Sequence, residues 1–178
     1  MAKNLINPVK GTQDFYPQDW AYQNWLSDTF LSVGRTFGFE EYEGPLVEHQ
    51  ELYLGKSSDE IVNRQTFTLK DRDNRDLVLR PELTPTLARM VASREGQLTF
   101  PIRWQSYGQF FRYEKPQRGR GRSFFQWNVD LLGIDSPIAD AEIISLACQT
   151  FQALDLTPEH VIVRLNDRQG MQELLSTD

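Results

Sequence analysis

The stretch Phe110 to Asp130, FFRYEKPQRGRGRSFFQWNVD, constrains the fold more than any other part of the chain. It reads as parts of two long strands, 101–114 and 122–133, joined by a loop rich in glycine and arginine. Side chains on a strand alternate between faces. In the first strand Phe110, Arg112 and Glu114 share a face, and Phe111 and Tyr113 take the other. In the second, Phe124, Gln126, Asn128 and Asp130 share a face, and Phe125, Trp127, Val129 and Leu131 form an apolar face suited to a core. Paired, the strands build a polar floor of a guanidinium, carboxylates, amides and an aromatic ring. Buried polar groups need partners, so a floor of this kind calls for a polar ligand.

The loop between the strands carries Lys115, Arg118, Arg120 and Arg122, with glycines at 119 and 121. Glycine permits close backbone approach, and arginine grips phosphate oxygens with a planar fork. Alone, the cluster reads equally well as a solvated hairpin tip. It is local: the chain carries a net charge of -6 and its pI is near 5.0, which excludes a generally basic nucleic-acid coat.

The flanking sequence supplies the rest of an α+β domain. Asp19 to Phe37 is an amphipathic helix, with Tyr22, Trp25, Leu26, Phe30, Val33 and Phe37 at three- and four-residue steps. That apolar face suits a core or a dimer interface alike. Gly38 ends the helix. Residues 39–48 read as extended, and Pro45 places them at an edge or interface. Residues 65–70 and 76–80 form a hairpin across a turn-rich 71–75. A short helix follows, capped by Thr84 with Pro85 in its first turn and Leu87, Met90 and Val91 buried. Asp140 to Leu154 is a further helix, and His160 to Leu165 a last strand, while 172–178 looks like the opening of another element. Strands joined by hairpin-length turns favour an antiparallel sheet flanked by helices over a parallel doubly wound one.

The 178 residues suit one domain, or the larger part of one. The single cysteine, Cys148, excludes a disulfide framework, fits a reducing cytoplasm, and reads as a small buried hydrophobe. His49 and His160 lack ligand-like neighbours, so no metal site is expected. No stretch is long enough for a membrane span, and the N-terminus lacks a secretory apolar region. The aromatic set Phe100, Trp104, Tyr107, Phe110 and Phe111 reads as core.

Several stretches, in order, resemble class II aminoacyl-tRNA synthetases, and within them the histidyl-tRNA synthetases. Lys10-Gly11-Thr12-Gln13-Asp14-Phe15 looks like the N-terminal signature of that family. Residues 38–48 around Pro45 are similar to motif 1, and 110–133 to motif 2, with Phe111-Arg112-Tyr113-Glu114 at its core. Lys115 to Arg122 looks like the histidyl form of the motif 2 loop. Arg80-Pro81-Glu82-Leu83-Thr84 resembles the amino-acid-binding segment, although Arg80 and Glu82 also read as a simple ion pair. No stretch resembles motif 3, the Gly-rich histidine-recognition segment or an anticodon-binding domain. The resemblance therefore implies that residues 1–178 are the N-terminal portion of a catalytic domain, inactive by itself.

What the resemblance implies is a ligase. It joins histidine to ATP, releases pyrophosphate, and passes the histidyl group to the 3′ end of tRNA-His. Arg112 would hold the α-phosphate and the attacking carboxylate. Glu114 would contact adenine, Phe124 would stack on it, and Arg120 and Arg122 would meet the phosphates or the tRNA end. Glu82, Thr84, Gln126 and Asp130 would surround the amino acid. Mg2+ would come with ATP, without a dedicated protein site, and motif 1 implies a homodimer. The loop would be mobile until ligand arrives. The family commonly has Gly at the position of Leu83, often His at that of Phe125 and Glu at that of Asp130; Asn128 adds a polar group. Alternatives within reach are a non-catalytic synthetase-like regulator of histidine biosynthesis, a prolyl or threonyl relative, and a plain RNA-binding module that uses residues 115–122.

Overall fold

In the computed structural model, which describes residues 6–54 and 65–166, the elements run in a simple order. They are α1 (Pro17–Thr36), β1 (Glu40–Glu41), β2 (Val47–His49), a 3-10 turn (Gln50–Leu52), β3 (Phe67–Lys70) and β4 (Asp76–Leu79). Then come α2 (Thr84–Ser93), β5 (Ile102–Phe111), β6 (Ser123–Leu132) and α3 (Pro137–Ala153). Two three-stranded sheets result, with orders β1-β5-β6 and β2-β4-β3. Among the described residues every pairing is antiparallel except the short β1–β5 contact. The expected mainly antiparallel α+β architecture is therefore the one observed.

The β5–β6 ladder pairs Ile102 with Leu132 at one end and Phe111 with Ser123 at the other. The face that carries Trp127, Val129 and Leu131 packs on Val33, Phe37 and Phe39, and on Ile143 and Leu146 of α3. Trp127 stacks on Phe30 at 5.1 Å between centroids, and its indole N–H donates to Gln105 Oε1 at 3.1 Å. Phe125 stacks on Tyr107 and meets Phe15 edge-on, as its place on the apolar face implied. Arg103 ties β5 to α3 through a bidentate ion pair with Glu142.

The 39–48 segment is divided between the two sheets. β1 lies beside β5 and β2 beside β4, with Gly44 and Pro45 at the crossover. Gly44 packs so tightly on the Thr86 methyl that a Cβ has no room there. The expected hairpin forms over 67–79, with Phe67 opposite Leu79 and Lys70 opposite Asp76, and Asp71 closes its turn by accepting from the Asp73 and Arg75 amides at 2.9 Å.

Other expectations are corrected. The α1 stripe splits: Phe30, Val33 and Phe37 turn to the core, whereas Tyr22 and Trp25 are 74% and 55% exposed. The sheet below covers only part of a helix face that wide. α2 starts at Thr84 itself, so Leu83 occupies the cap position and no side chain caps it. α3 starts at Pro137, before Asp140, because Ser136 Oγ accepts from the Ile138 amide at 3.3 Å. Cys148 is exposed, since α3 turns Leu146 and Thr150 inward instead. Residues 160–165 form no strand: the Thr157–His160 turn leads into a segment in which Ile162 and Leu165 are exposed, and it pairs with no described strand. Residues 172–178 lie outside the described residues.

Candidate functional site

The ladder puts Gly108, Phe110, Phe124, Gln126, Asn128 and Asp130 on one face, opposite the one packed on α1 and α3. Both strands end before the loop, so Glu114 lies beyond β5. Arg112 still pairs with the ladder through its amide, which donates to Arg122 O at 2.9 Å. Its Nε donates to Pro81 O at 3.0 Å, and its guanidinium lies 5.1 Å from the centre of the Phe124 ring. Phe124 in turn stacks on Phe110, 6.1 Å away. The Phe124 ring is thus flanked by the Phe110 ring and the Arg112 guanidinium.

Arg112, Glu114, Gly119, Arg120, Gly121, Phe124 and Phe125 line one cavity of about 330 Å³. Glu114, almost covered, is held by the Arg120 guanidinium in a two-pronged contact, with one Nη2–Oε1 distance of 3.0 Å. The loop tip is a tight turn in which Gln117 and Arg120 exchange both backbone hydrogen bonds at 3.0 Å. Gly119 adopts φ +75° there, which a side chain disfavours.

Arg122 faces elsewhere. It donates to Glu114 O at 3.0 Å and Lys10 O at 3.3 Å, and its guanidinium covers the Tyr113 ring at 3.9 Å. The amides of Arg122 and Ser123 both donate to Gly11 O. The N-terminal 10–11 segment is therefore a strap across the base of the loop, and Arg122 is its strut.

Further along the same face, Gln126 Nε2 donates to Asn128 Oδ1 at 2.7 Å. Asp130 accepts from Tyr42 O–H at 3.5 Å. Burial pushes the Asp130 carboxyl above the usual carboxylate range. Burial, followed by the neighbouring Asp130 carboxylate, pushes the Tyr42 phenol far above its ordinary value. The buried Ser106 Oγ, opposite Asn128 in the ladder, has no hydrogen-bond partner among the described residues. Glu82 follows directly on Pro81, which receives Arg112, and its own carbonyl accepts from Tyr53 O–H at 3.4 Å. Thr84 is exposed at the start of α2; the buried hydroxyl of that turn is Thr86, which donates to Glu48 at 3.0 Å.

The sequence offered Glu82 as the partner of Arg80 and gave no sign of Glu43. Arg80 is fully buried, and its carboxylate partner is Glu43. The signal for Arg80 itself was Gly108, a glycine in the middle of a strand, which marks close approach of another group; a Cβ there overlaps the Arg80 guanidinium. Among the described residues no group of three His, Cys, Asp or Glu side chains is placed to hold a metal, and no helix is long and apolar enough to cross a membrane.

Comparison with known proteins gives a consistent result. A family model described as Histidyl-tRNA synthetase matches residues 11–177. The chain is 41% identical over 96% of its length to the chloroplastic/mitochondrial histidine–tRNA ligase of Arabidopsis thaliana, and 40% identical over 97% to the histidine–tRNA ligase of Haloarcula marismortui. It spans 35% and 40% of those relatives. Among solved structures, apo histidyl-tRNA synthetase of S. aureus matches with a TM-score of 0.70 and 25% identity, over 84% of this chain and 35% of that one. A protein of Bacillus halodurans described as an ATP phosphoribosyltransferase regulatory subunit/histidyl-tRNA synthetase matches with a TM-score of 0.76 and 26% identity, over 89% and 40%.

Proposed function

The chain belongs to the histidyl-tRNA synthetase family, and from that premise we propose that it carries the ATP- and histidine-binding floor of a histidine–tRNA ligase. The observation that carries the reading is the grouping of Arg112, Glu114, Arg120 and Phe124 around one cavity at the loop end of the polar face, with Gln126 and Asp130 further along it. In this reading adenine stacks on Phe124 and meets Glu114. Arg112 faces the α-phosphate, and the amino acid occupies the Gln126–Asp130 end near Glu82 and Thr84. The histidine carboxylate attacks the α-phosphorus, the bond to the β-phosphate oxygen breaks, and pyrophosphate leaves with Mg2+. The hydroxyl at the 3′ end of tRNA-His then attacks the histidyl carbonyl, the bond to the adenylate oxygen breaks, and AMP leaves as the hydroxyl gives up its proton.

The chemistry asked of the protein in the attack on the α-phosphorus is mostly positioning and charge stabilisation. Arg112 suits it because Pro81 O and the Phe124 ring hold its guanidinium in one orientation before ligand arrives. Arg120 suits a later role: its contact with Glu114 must exchange when adenine and phosphates enter. Arg122 supports the loop from behind, and in this arrangement its contribution to ATP is indirect. The whole reaction belongs to a polypeptide that includes this chain, acting as a cytoplasmic homodimer; the 178 residues alone bind ATP and turn over negligibly.

Calorimetric titration of the chain with Mg-ATP, with and without histidine, tests the reading. Saturable ATP binding lost in Arg112→Ala supports it; no binding at millimolar ATP overturns it. Histidine-dependent ATP–pyrophosphate exchange in the longer polypeptide tests the reaction itself. The likeness to the Bacillus halodurans protein favours a second reading, a non-catalytic regulator. That reading predicts histidine binding without ATP binding in the same titration.

A further inference from the structure

Arg80 sits where three segments meet. Its Nε donates to Gln109 O at 3.0 Å, Nη1 donates to Gly44 O at 3.0 Å and to Glu43, and Nη2 reaches the second Glu43 oxygen at 3.3 Å. Its guanidinium lies 4.5 Å from the centre of the Phe110 ring. Its backbone is engaged as well: the amide donates to Leu46 O at 2.9 Å, and the carbonyl accepts from Phe111 N at 3.0 Å. The side chain is completely buried, whereas Glu43 is 56% exposed. A cation without solvent needs every such partner.

Two routes lead from Arg80 to Arg112. One is the chain: Arg80 is followed by Pro81, whose carbonyl receives Arg112 Nε. The other is a column of planar groups: Arg80 lies on Phe110, Phe110 on Phe124, and Phe124 under Arg112. The loop closes on itself, so a shift of the Arg80 fork moves both the acceptor and the ring that orient Arg112. Gly108 leaves the space that the fork occupies.

We propose that Arg80, locked by Glu43, is a positioning residue that sets the orientation of the Arg112 guanidinium, and thereby couples the 39–48 crossover to the nucleotide end of the polar face. This rests on the ATP-binding reading for its functional consequence, not for its geometry. If the 39–48 segment is displaced, Glu43 and Gly44 withdraw from Arg80, and Arg112 loses its fixed orientation without losing any contact of its own to that segment.

The test uses Glu43→Gln, which keeps shape and removes charge at a half-exposed position, with Glu41→Gln as control. Glu41 pairs with the exposed Arg35 on α1. Two quantities are read on the 178-residue chain at a temperature where every variant is folded by circular dichroism: solvent exchange of the Arg112 side-chain Nε–H by NMR, assigned through Arg112→Lys, and ATP affinity by calorimetry. In Glu43→Gln the Arg112 Nε–H exchanges about tenfold faster, ATP binds about tenfold more weakly, and Glu43→Asp recovers part of both. Glu41→Gln changes neither. If Glu43→Gln leaves Arg112 exchange at the unsubstituted rate, the proposal is overturned, whatever happens to thermal stability. If the unsubstituted chain fails to bind ATP, the functional reading falls, while Arg112 exchange still decides the positioning claim.

Discussion

The base and the tip of the loop that joins β5 to β6 use the same residue type in opposite ways. At the base, Arg80 is fully buried and Arg112 is held between the Pro81 carbonyl and the Phe124 ring. At the tip, Arg120 is exposed and holds Glu114, beside a glycine turn with open space around it. A buried guanidinium is committed because nothing replaces its partners. The tip pair is open to water only on its Arg120 side, where water can replace the guanidinium's partner and its worth is correspondingly small. The difference separates a part of the floor fixed by buried partners from a turn whose arginine is open to water.

The sharpest way to break this comparison is to cut the base. Phe110→Ala removes a fully buried ring between Arg80 and Phe124, and should cost about 3–5 kcal/mol in urea denaturation. Gly119→Ala at the tip meets open space and only a positive φ, and should cost about 1 kcal/mol. Equal costs would mean that base and tip do not differ in commitment. Next in size is ATP affinity: Arg112→Ala should lower it by about a hundredfold, and Arg120→Ala by only a few-fold, less so in high salt. Calorimetry at two salt concentrations separates them.

A smaller effect concerns the far end of the floor. Burial raises the folded-state pKa of Asp130, so the folded chain holds that proton more tightly than the unfolded one. The associated stabilisation is complete below the ordinary carboxylate pKa and is lost as pH rises through the raised value. Asp130→Asn should flatten that decline in a Tm-against-pH series; a decline of unchanged slope would remove the carboxyl as its source. Smallest is the tip ion pair itself: Arg120→Ala should change unfolding free energy by at most about 0.5 kcal/mol in denaturant titration. Amide exchange of residues 115–121 should slow on ATP addition, while that of 108–111 is slow throughout.

Much of the site was legible because strand alternation is local. One pattern of period two placed Phe124, Gln126 and Asp130 on one face and Phe125, Trp127 and Val129 on the other. Turn chemistry located both hairpins. The period could not say how far the ladder runs, so Glu114 was placed on the floor although β5 ends at Phe111. Nor could it aim a long flexible side chain: Arg122 was read with the phosphate-facing arginines, yet it turns back to Lys10 and Glu114.

The order of amino acids alone determined the strand pair, its two chemically distinct faces and the glycine-hinged cationic turn, because each depends on neighbours a few residues away. Tertiary structure decided which carboxylate Arg80 meets, which aromatic residues of α1 stay exposed, that Cys148 faces outward and that 160–165 joins no strand among the described residues. Each of these depends on surfaces brought together from distant parts of the chain. Glu43 and Arg80 lie far apart in sequence, and only the folding of the 39–48 crossover onto β4 and β5 makes them partners.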